Sequence, residues 1–482
     1  MFYDFYSDEG WVDENVYAYS NRLGDQRALV IYHNKYGSTR GWVRISCAYA
    51  EKSGDGKRLR QKTLGECFGL SHDGSMYVAF RDASSGLEYL HRQRDVAERG
   101  LHLSLEAYKC HVFVDWRDLR DDGTRPWGAL CDSLNGRGVS SLDDALRALE
   151  LKPVHDAVLA MLDYSSVHSF AELAIASVPK PATAHKKSAE PATTLNKDGH
   201  LTQVLTAFRH RFGVVLAEAK RLAATPDGEA VGLKPARDWH ASAQDPLELF
   251  VDRLKTASRL VQLETNLDPT LSAEVASILP ATGQPIERAV ALWSTVIAWA
   301  ALEAMGYAQD DRLPEQASVN EFDALHLRTA FAEAFEKLGM HGDERWRAAA
   351  RIRASFAHAS WKPVPKGAAE RRAPVLSWQH DPEVAWLLGV HEYEGVRYFN
   401  KEAFQRLIWW STLPTLLDLA REEKPEKKAL EEVQRQIQRR FSIAEEGGYK
   451  VEALLDAARN VAAEGPEIEK PLLTPESAEK PK

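Results

Sequence analysis

The chain is poor in cysteine. Cys47, Cys67, Cys110 and Cys131 are its four cysteines in 482 residues, spaced 20, 43 and 21 apart. No Cys-x-x-Cys pair occurs, which excludes the common zinc and dithiol redox motifs. Isolated thiols fit a reducing, cytoplasmic compartment. There is no basic excess either. Lys and Arg number 61 against 70 Asp and Glu, the net charge is −9, and neither half is strongly basic. A nucleic-acid partner, which needs concentrated positive charge, is not expected. A secretory leader is not expected, since Asp4, Asp8 and Glu9 follow Met1 where a basic end and an apolar core would stand. One apolar run, residues 289–306, is interrupted by Glu303 and is shorter than the ~20 residues a bilayer demands. It reads as a buried central helix rather than a membrane span. No internal repeat is visible.

What is present divides into two textures, and the composition is ordinary for a soluble chain of two to four domains. Residues 11–118 hold short strand-like runs: Ala28-Leu-Val-Ile-Tyr-His-Asn34, Trp42-Val-Arg-Ile-Ser-Cys-Ala48, Met76-Tyr-Val-Ala-Phe80 and Cys110-His-Val-Phe-Val-Asp-Trp116. Gly, Asn and Asp punctuate them. In the last run strict alternation places Cys110, Val112, Val114 and Trp116 on one face and His111, Phe113 and Asp115 on the other. The insert at 85–100 reads as a helix opened by Ser85 and Glu88 and closed by Gly100. The chain is thus α+β: an N-terminal antiparallel β-sandwich over 1–120, then a mostly α-helical C-terminal region.

Within that region, residues 121–177 read as a short helical segment, with Ser141 as a cap and Pro153 opening a new helix. The Pro/Ala/Lys-rich stretch 178–200 reads as a linker with too little apolar matter to pack. Residues 201–462 form a helical domain. In it Asp245-Pro-Leu-Glu248 is a strong helix start, Val390 to Phe399 is a hairpin turning at Glu394-Gly395, Asn400 is a cap, and Pro414 should kink or end the helix after it. The Pro- and Glu-rich tail 463–482 reads as disordered.

Few residues suggest chemistry. His380 and His391, beside Asp381 and Glu392, are 11 apart, which fits no helical ligand pair, so no metal and no cofactor is expected. Asp115 and Asp118 flank Trp116, yet a carboxylate pair for glycoside cleavage must face across a cleft ~5–10 Å wide, and the neighbouring Arg117 and Arg120 make an ion-paired turn the better reading. Gly136 and Gly138 in Leu134-Asn-Gly-Arg-Gly-Val139 lack the Lys-Ser/Thr of a phosphate loop and read as a turn. Arg347, Arg351 and Arg353 could face an anion or RNA, although Asp343 and Glu344 before them favour a solvated helix face. Trp11, Tyr36, Trp42 and Trp116 are the aromatic set of the β-region. Exposed, they could stack on sugar rings; otherwise they are core or interface. Trp293, Trp299, Trp409 and Trp410 read as helical core.

Several stretches carry a family likeness: Val16-Tyr-Ala-Tyr-Ser-Asn-Arg22 with Arg27-Ala-Leu-Val-Ile-Tyr-His-Asn34, Phe80-Arg-Asp82 with Gly86-Leu-Glu-Tyr89, Leu105-Glu-Ala-Tyr-Lys-Cys-His-Val-Phe-Val-Asp115, Leu134-Asn-Gly-Arg-Gly-Val139, and Leu388-Gly-Val-His-Glu-Tyr-Glu-Gly-Val-Arg-Tyr-Phe-Asn-Lys-Glu402. They resemble the C-terminal β-sandwich and helical extension of large bacterial α-amylase-like proteins of glycoside hydrolase family 13. The resemblance covers residues 1 to about 155 and, less fully, 380–410. It implies α-glucan metabolism and a (β/α)8 barrel as partner. The family's nucleophile aspartate, acid/base glutamate and transition-state aspartate lie on barrel strands that would precede Met1, so no catalytic residue is assigned here and the chain alone is expected to be inactive. The opening Phe2-Tyr-Asp-Phe-Tyr6 would then be a seam toward a truncated or separately encoded barrel. The rival readings are a stand-alone glucan-binding module and a helical protein-interaction scaffold over 200–462.

Overall fold

The computed structural model describes residues 1–53, 56–123, 125–176, 192–224, 245–261, 271, 278–281, 284–310, 313–358, 378, 381–421 and 427–463. It divides into two compact units, Met1–Lys152 and Pro153–Lys482. The architecture is α+β: a curled antiparallel sheet, then helices.

In the first unit eight strands form one sheet: β1 (Phe2–Ser7), β2 (Val16–Leu23), β3 (Gln26–His33), β4 (Thr39–Ser46), β7 (Met76–Asp82), β8 (Glu88–Arg92), β9 (Leu101–Leu105) and β10 (Cys110–Arg120), in the order β8-β7-β10-β3-β2-β1-β4-β9. Every pairing is antiparallel. A small hairpin, β5 (Tyr49–Ser53) with β6 (Gly56–Arg60), stands apart from it. Alternation decides which side is buried: along β2, Val16, Ala18 and Ser20 point inward while Tyr17, Tyr19 and Asn21 point out. Phe5 of β1, Phe80 of β7, Leu105 of β9 and Phe113 of β10 share one core although their strands are far apart in the sheet. Only curling can bring them together. Helix α1 (Leu64–Phe68), opened by a complete Thr63/Glu66 capping box, and helix α2 (Gln93–Arg99) close that core with Phe68 and Val96.

Two sequence expectations fail in this unit. The insert at 85–100 is strand β8 followed by α2, because Ser85 Oγ donates to Asp82 Oδ2 at 2.9 Å instead of capping a helix. The alternation of β10 also breaks. Asp115 has φ +54° and the pairing with β7 shifts between Val114 and Arg117. This bulge resets the phase by one residue, so Phe113 and Trp116 both face the core.

Polar clamps pin the same strands. The Asp82 carboxylate is fully buried and takes hydrogen bonds from His111 Nδ1 (2.9 Å), the Ser84 and Val112 amides (3.1 and 3.2 Å) and Ser85. Burial alone would raise its pKa; the His111 bond and the other donors outweigh that and hold it below the usual carboxylate range. Arg27 of β3 grips Asp118 bidentately at 2.7 and 2.8 Å, and Arg81 holds Asp115 at 2.9 Å. The two aspartates around Trp116 are therefore separately ion-paired, but to Arg27 and Arg81 of other strands; Arg117 and Arg120 pair with Glu88 and Asp73, and the segment is strand β10, not a turn. Helix α3 (Trp127–Leu134) ends at left-handed Asn135 and Gly136, which makes the Asn-Gly-Arg-Gly segment a turn.

The division between the units falls within helix α4 (Leu142–Met161), which runs through Pro153 instead of restarting there. Buried Leu146, Leu151, Val154 and Val158 on both sides of the proline favour a continuous helix over the single hydrogen bond it forfeits. In the second unit follow α5 (Tyr164–Ala176), α6 (Ala192–Ala223), α7 (Pro246–Ala257), α8 (Ile286–Gln309), α9 (Pro314–Ala324), α10 (Leu327–Lys337), α11 (Asp343–Ala357), α12 (Pro382–Leu387), the hairpin β11 (His391–Tyr393) and β12 (Val396–Tyr398), α13 (Lys401–Ala420), α14 (Lys427–Glu446) and α15 (Val451–Ala463). Helix α6 begins inside the expected linker; residues 178–191 and the tail 464–482 lie outside the described residues.

Helix α8 is the axis of this unit, packed by α5, α7, α9, α10 and α11. It is long and apolar enough to cross a membrane, and 89% of its most apolar window is buried inside the protein. Trp293, Trp299, Trp409 and Trp410 are buried, as expected. Glu303, the charge inside the apolar run, is ion-paired to Arg253 at 2.7 Å. Asp245 and Asn400 cap their helices through their side chains, and Glu394 and Gly395 make the hairpin turn with positive φ. Helix α13 runs on through Pro414.

Candidate functional site

The sheet topology gathers one group of loops at one end. Antiparallel order brings the end of β1, the start of β2, the end of β3 and the starts of β4 and β10 to the same edge. The loop 8–15 carries Trp11, the loop 34–38 carries Tyr36, and the loop 106–109 carries Tyr108. Their exposures are 52%, 83% and 58%, so each ring offers a face to solvent. Backbone hydrogen bonds tie the loops together: Asn34 N donates to Asn15 O at 2.8 Å, Tyr108 N to Lys35 O at 3.3 Å, and His33 N to Lys109 O at 2.9 Å.

Local chemistry holds each loop. In the first, Ser7 N donates to Trp11 O at 2.8 Å, and Asp13 Oδ1 accepts from the Asn15 amide and side chain at 3.1 and 2.9 Å. Burial works against the Asp13 charge, yet the Asn15 hydrogen bonds prevail and its pKa is lowered. In the second, Gly37 at φ +116° takes a conformation that a side chain would strain. In the third, Tyr108 itself sits at φ +55°, and His33 Nδ1 bonds Glu106 O of the same loop at 2.9 Å. Asn15, Asn34, Lys35 and Glu106 are polar residues on the same three loops. Such an end suits a ligand with apolar C–H faces and a rim of hydroxyls: rings stack on the faces and amides read the hydroxyls.

The four aromatic residues chosen from sequence are therefore separated by the structure. Trp11 and Tyr36 are at this end. Trp42 of β4 is half-buried, its ring 4.7 Å from His102, which bonds Asp8 at 2.9 Å. Trp116 is a correction: it is 7% exposed, stacks on Phe80 at 4.3 Å, meets Phe68 edge-on at 4.6 Å and donates Nε1–H to Phe113 O at 3.0 Å. The bulge at Asp115 turned it inward, so it cannot contact a ligand. Tyr108 was missed, because nothing in Glu106-Ala-Tyr-Lys announces a left-handed tyrosine.

A second exposed aromatic surface lies on the outer face of the sheet. Register places Phe2, Tyr19, Val30 and Val112 in one row across β1, β2, β3 and β10. Phe2 and Tyr17 are 68% and 57% exposed, and the Phe2 and Tyr19 rings are 5.9 Å apart.

Elsewhere, His391 is exposed, with Nδ1 3.2 Å from Gly389 O, and His380 lies outside the described residues. Among the described residues no group of three or more His, Cys, Asp or Glu could hold a metal ion. The expectation of a solvated face for Arg347, Arg351 and Arg353 is corrected: Arg351 is buried, Arg353 is bidentate to Asp323 at 2.7 Å, and Arg347 lies 4.7 Å over the Trp386 ring. Asp323 of α9 and Trp386 of α12 cover Arg353 and Arg347, while Arg351 pairs with Glu344 of its own helix. No family model, curated protein or solved structure matches the chain.

Proposed function

We propose that this chain is the C-terminal, non-catalytic part of an α-amylase-like glycoside hydrolase, with the first unit contacting α-glucan and supporting a (β/α)8 barrel that performs the chemistry. The observation that carries the reading is the loop end where Trp11, Tyr36 and Tyr108 stand exposed on three hydrogen-bonded loops. Two further points support it. The first unit is all-antiparallel, in keeping with the antiparallel β-sandwich the resemblance implies there, and the outer face around Phe2, Tyr17 and Tyr19 is an apolar surface of the kind that packs on a neighbouring domain. Retaining hydrolysis by a carboxylate pair would belong to the barrel.

The test is retention on amylose gel. The full chain should be retarded, and the Trp11→Ala/Tyr36→Ala/Tyr108→Ala variant should run freely while keeping its circular dichroism. At ~1 kcal/mol per stacking ring, losing three weakens binding about a hundredfold. A triple variant retained like the parent would defeat this reading of the loop end.

A further inference from the structure

The second unit holds a cavity of about 500 Å³ between α8, α11, α13 and the turn before α11. Arg288, Arg351 and Arg406 line it with Glu287 and Glu344, and Leu292, Met340 and Trp410 give it an apolar side. Glu344 and Arg351 are two helical turns apart on α11, so they share a face. The Glu344 carboxylate is divided between two guanidiniums: Arg351 Nη2 lies 2.6 Å from Oε1, and Arg406 Nη1 3.3 Å from Oε2. Arg351 is 6% exposed, and its buried Nε–H finds no hydrogen-bond partner among the described residues. A buried donor left unsatisfied is costly, most of all on a charged group.

We propose that this cavity binds a small monocarboxylate with an apolar body, its carboxylate meeting Arg351 and Arg288 and its body lying against Trp410 and Leu292. A guanidinium fork and a carboxylate match in shape and charge. The apolar side formed by Leu292, Met340 and Trp410 favours an anion with an apolar body over inorganic phosphate. The volume suits a small molecule. Burial draws the basicity of Arg351 down, and Glu344 only partly offsets that, so a second anion beside it improves a site that is electrostatically underserved.

The test uses the full-length chain and ligand-observed NMR with phenylacetate, 4-phenylbutyrate and octanoate, their uncharged amides, and inorganic phosphate. At least one carboxylate should bind, and its amide should not. Arg351→Gln should weaken that binding about tenfold or more. Arg288→Gln, on an exposed side chain whose loss does not threaten folding, should weaken it independently. If no carboxylate of the panel binds, if phosphate binds in preference, or if neither substitution weakens binding, the proposal is overturned. Amylose retention should be unchanged in both variants, so the failure of either reading is seen without the other.

Discussion

Trp116→Ala separates a core role from a ligand role for the residue that sequence placed among the sugar contacts. The indole is 7% exposed and is gripped by Phe80 on one side and Phe68 at its edge. Removing a buried Trp or Phe to Ala costs roughly 3–5 kcal/mol in transfer and cavity terms. The lost Nε1–H bond to Phe113 O at 3.0 Å adds about 1 kcal/mol. The sum approaches the whole stability of an ordinary domain, ~5–15 kcal/mol. Tyr36→Ala, at 83% exposure, should by contrast stay within about 0.5 kcal/mol of the parent. Hydrogen exchange read by mass spectrometry on peptides from β7 and β10 reports this unit without interference from the helical one. Protection there should collapse in Trp116→Ala and persist in Tyr36→Ala. Unchanged protection in Trp116→Ala would refute both the bulge at Asp115 and the inward indole.

Two further outcomes concern the helical unit. Glu321 of α9 is fully buried and bonded to Gln309; burial raises its pKa to about 8, which the Gln309 bond only partly opposes. Its folded pKa lies above the unfolded one near 4.5, so the folded state holds the extra proton between those values and stability falls as pH rises from about 4.5 to about 8. Glu321→Gln should remove that decline: denaturation midpoints of variant and parent should agree near pH 4.5, with the variant higher at pH 8, and parallel curves would count against a buried neutral acid. Glu303 and Arg253 form a pair with side chains 11% and 12% exposed, and the carboxylates of Glu303 and Asp418 outweigh burial to keep the Arg253 pKa above its ordinary value. Glu303→Ala should cost about 1–3 kcal/mol in urea unfolding, because it strips the buried Arg253 guanidinium of one carboxylate and leaves it the exposed Asp418 at 2.8 Å, with Glu303→Leu/Arg253→Met recovering most of it; a neutral single variant would contradict this.

What could be read from sequence was what local chemistry decides. Asp245-Pro246 and Asn400 cap their helices, Glu394-Gly395 turns its hairpin, and Trp293 and Trp299 lie within an apolar helix, because each signal sits within a few residues of its effect. What escaped depended on partners distant in the chain. Ser85 was claimed by Asp82, so no cap formed there. A single left-handed residue, Asp115, turned Trp116 into the core and removed one of four candidate contacts. Arg351 looked like a solvated charge until α8 and α13 enclosed it. Tyr108 joins Trp11 and Tyr36 only through strand order, which no short window of sequence contains.

The proposed function requires retention on α-glucan without hydrolysis of it. The most direct measurement incubates the pure full chain, cleared of host amylase, with a chromogenic maltooligosaccharide while the same preparation is run on amylose gel. Retardation on the gel with no chromophore release is the expected result. Release of chromophore, or migration on amylose gel identical to that on plain gel, would contradict the account.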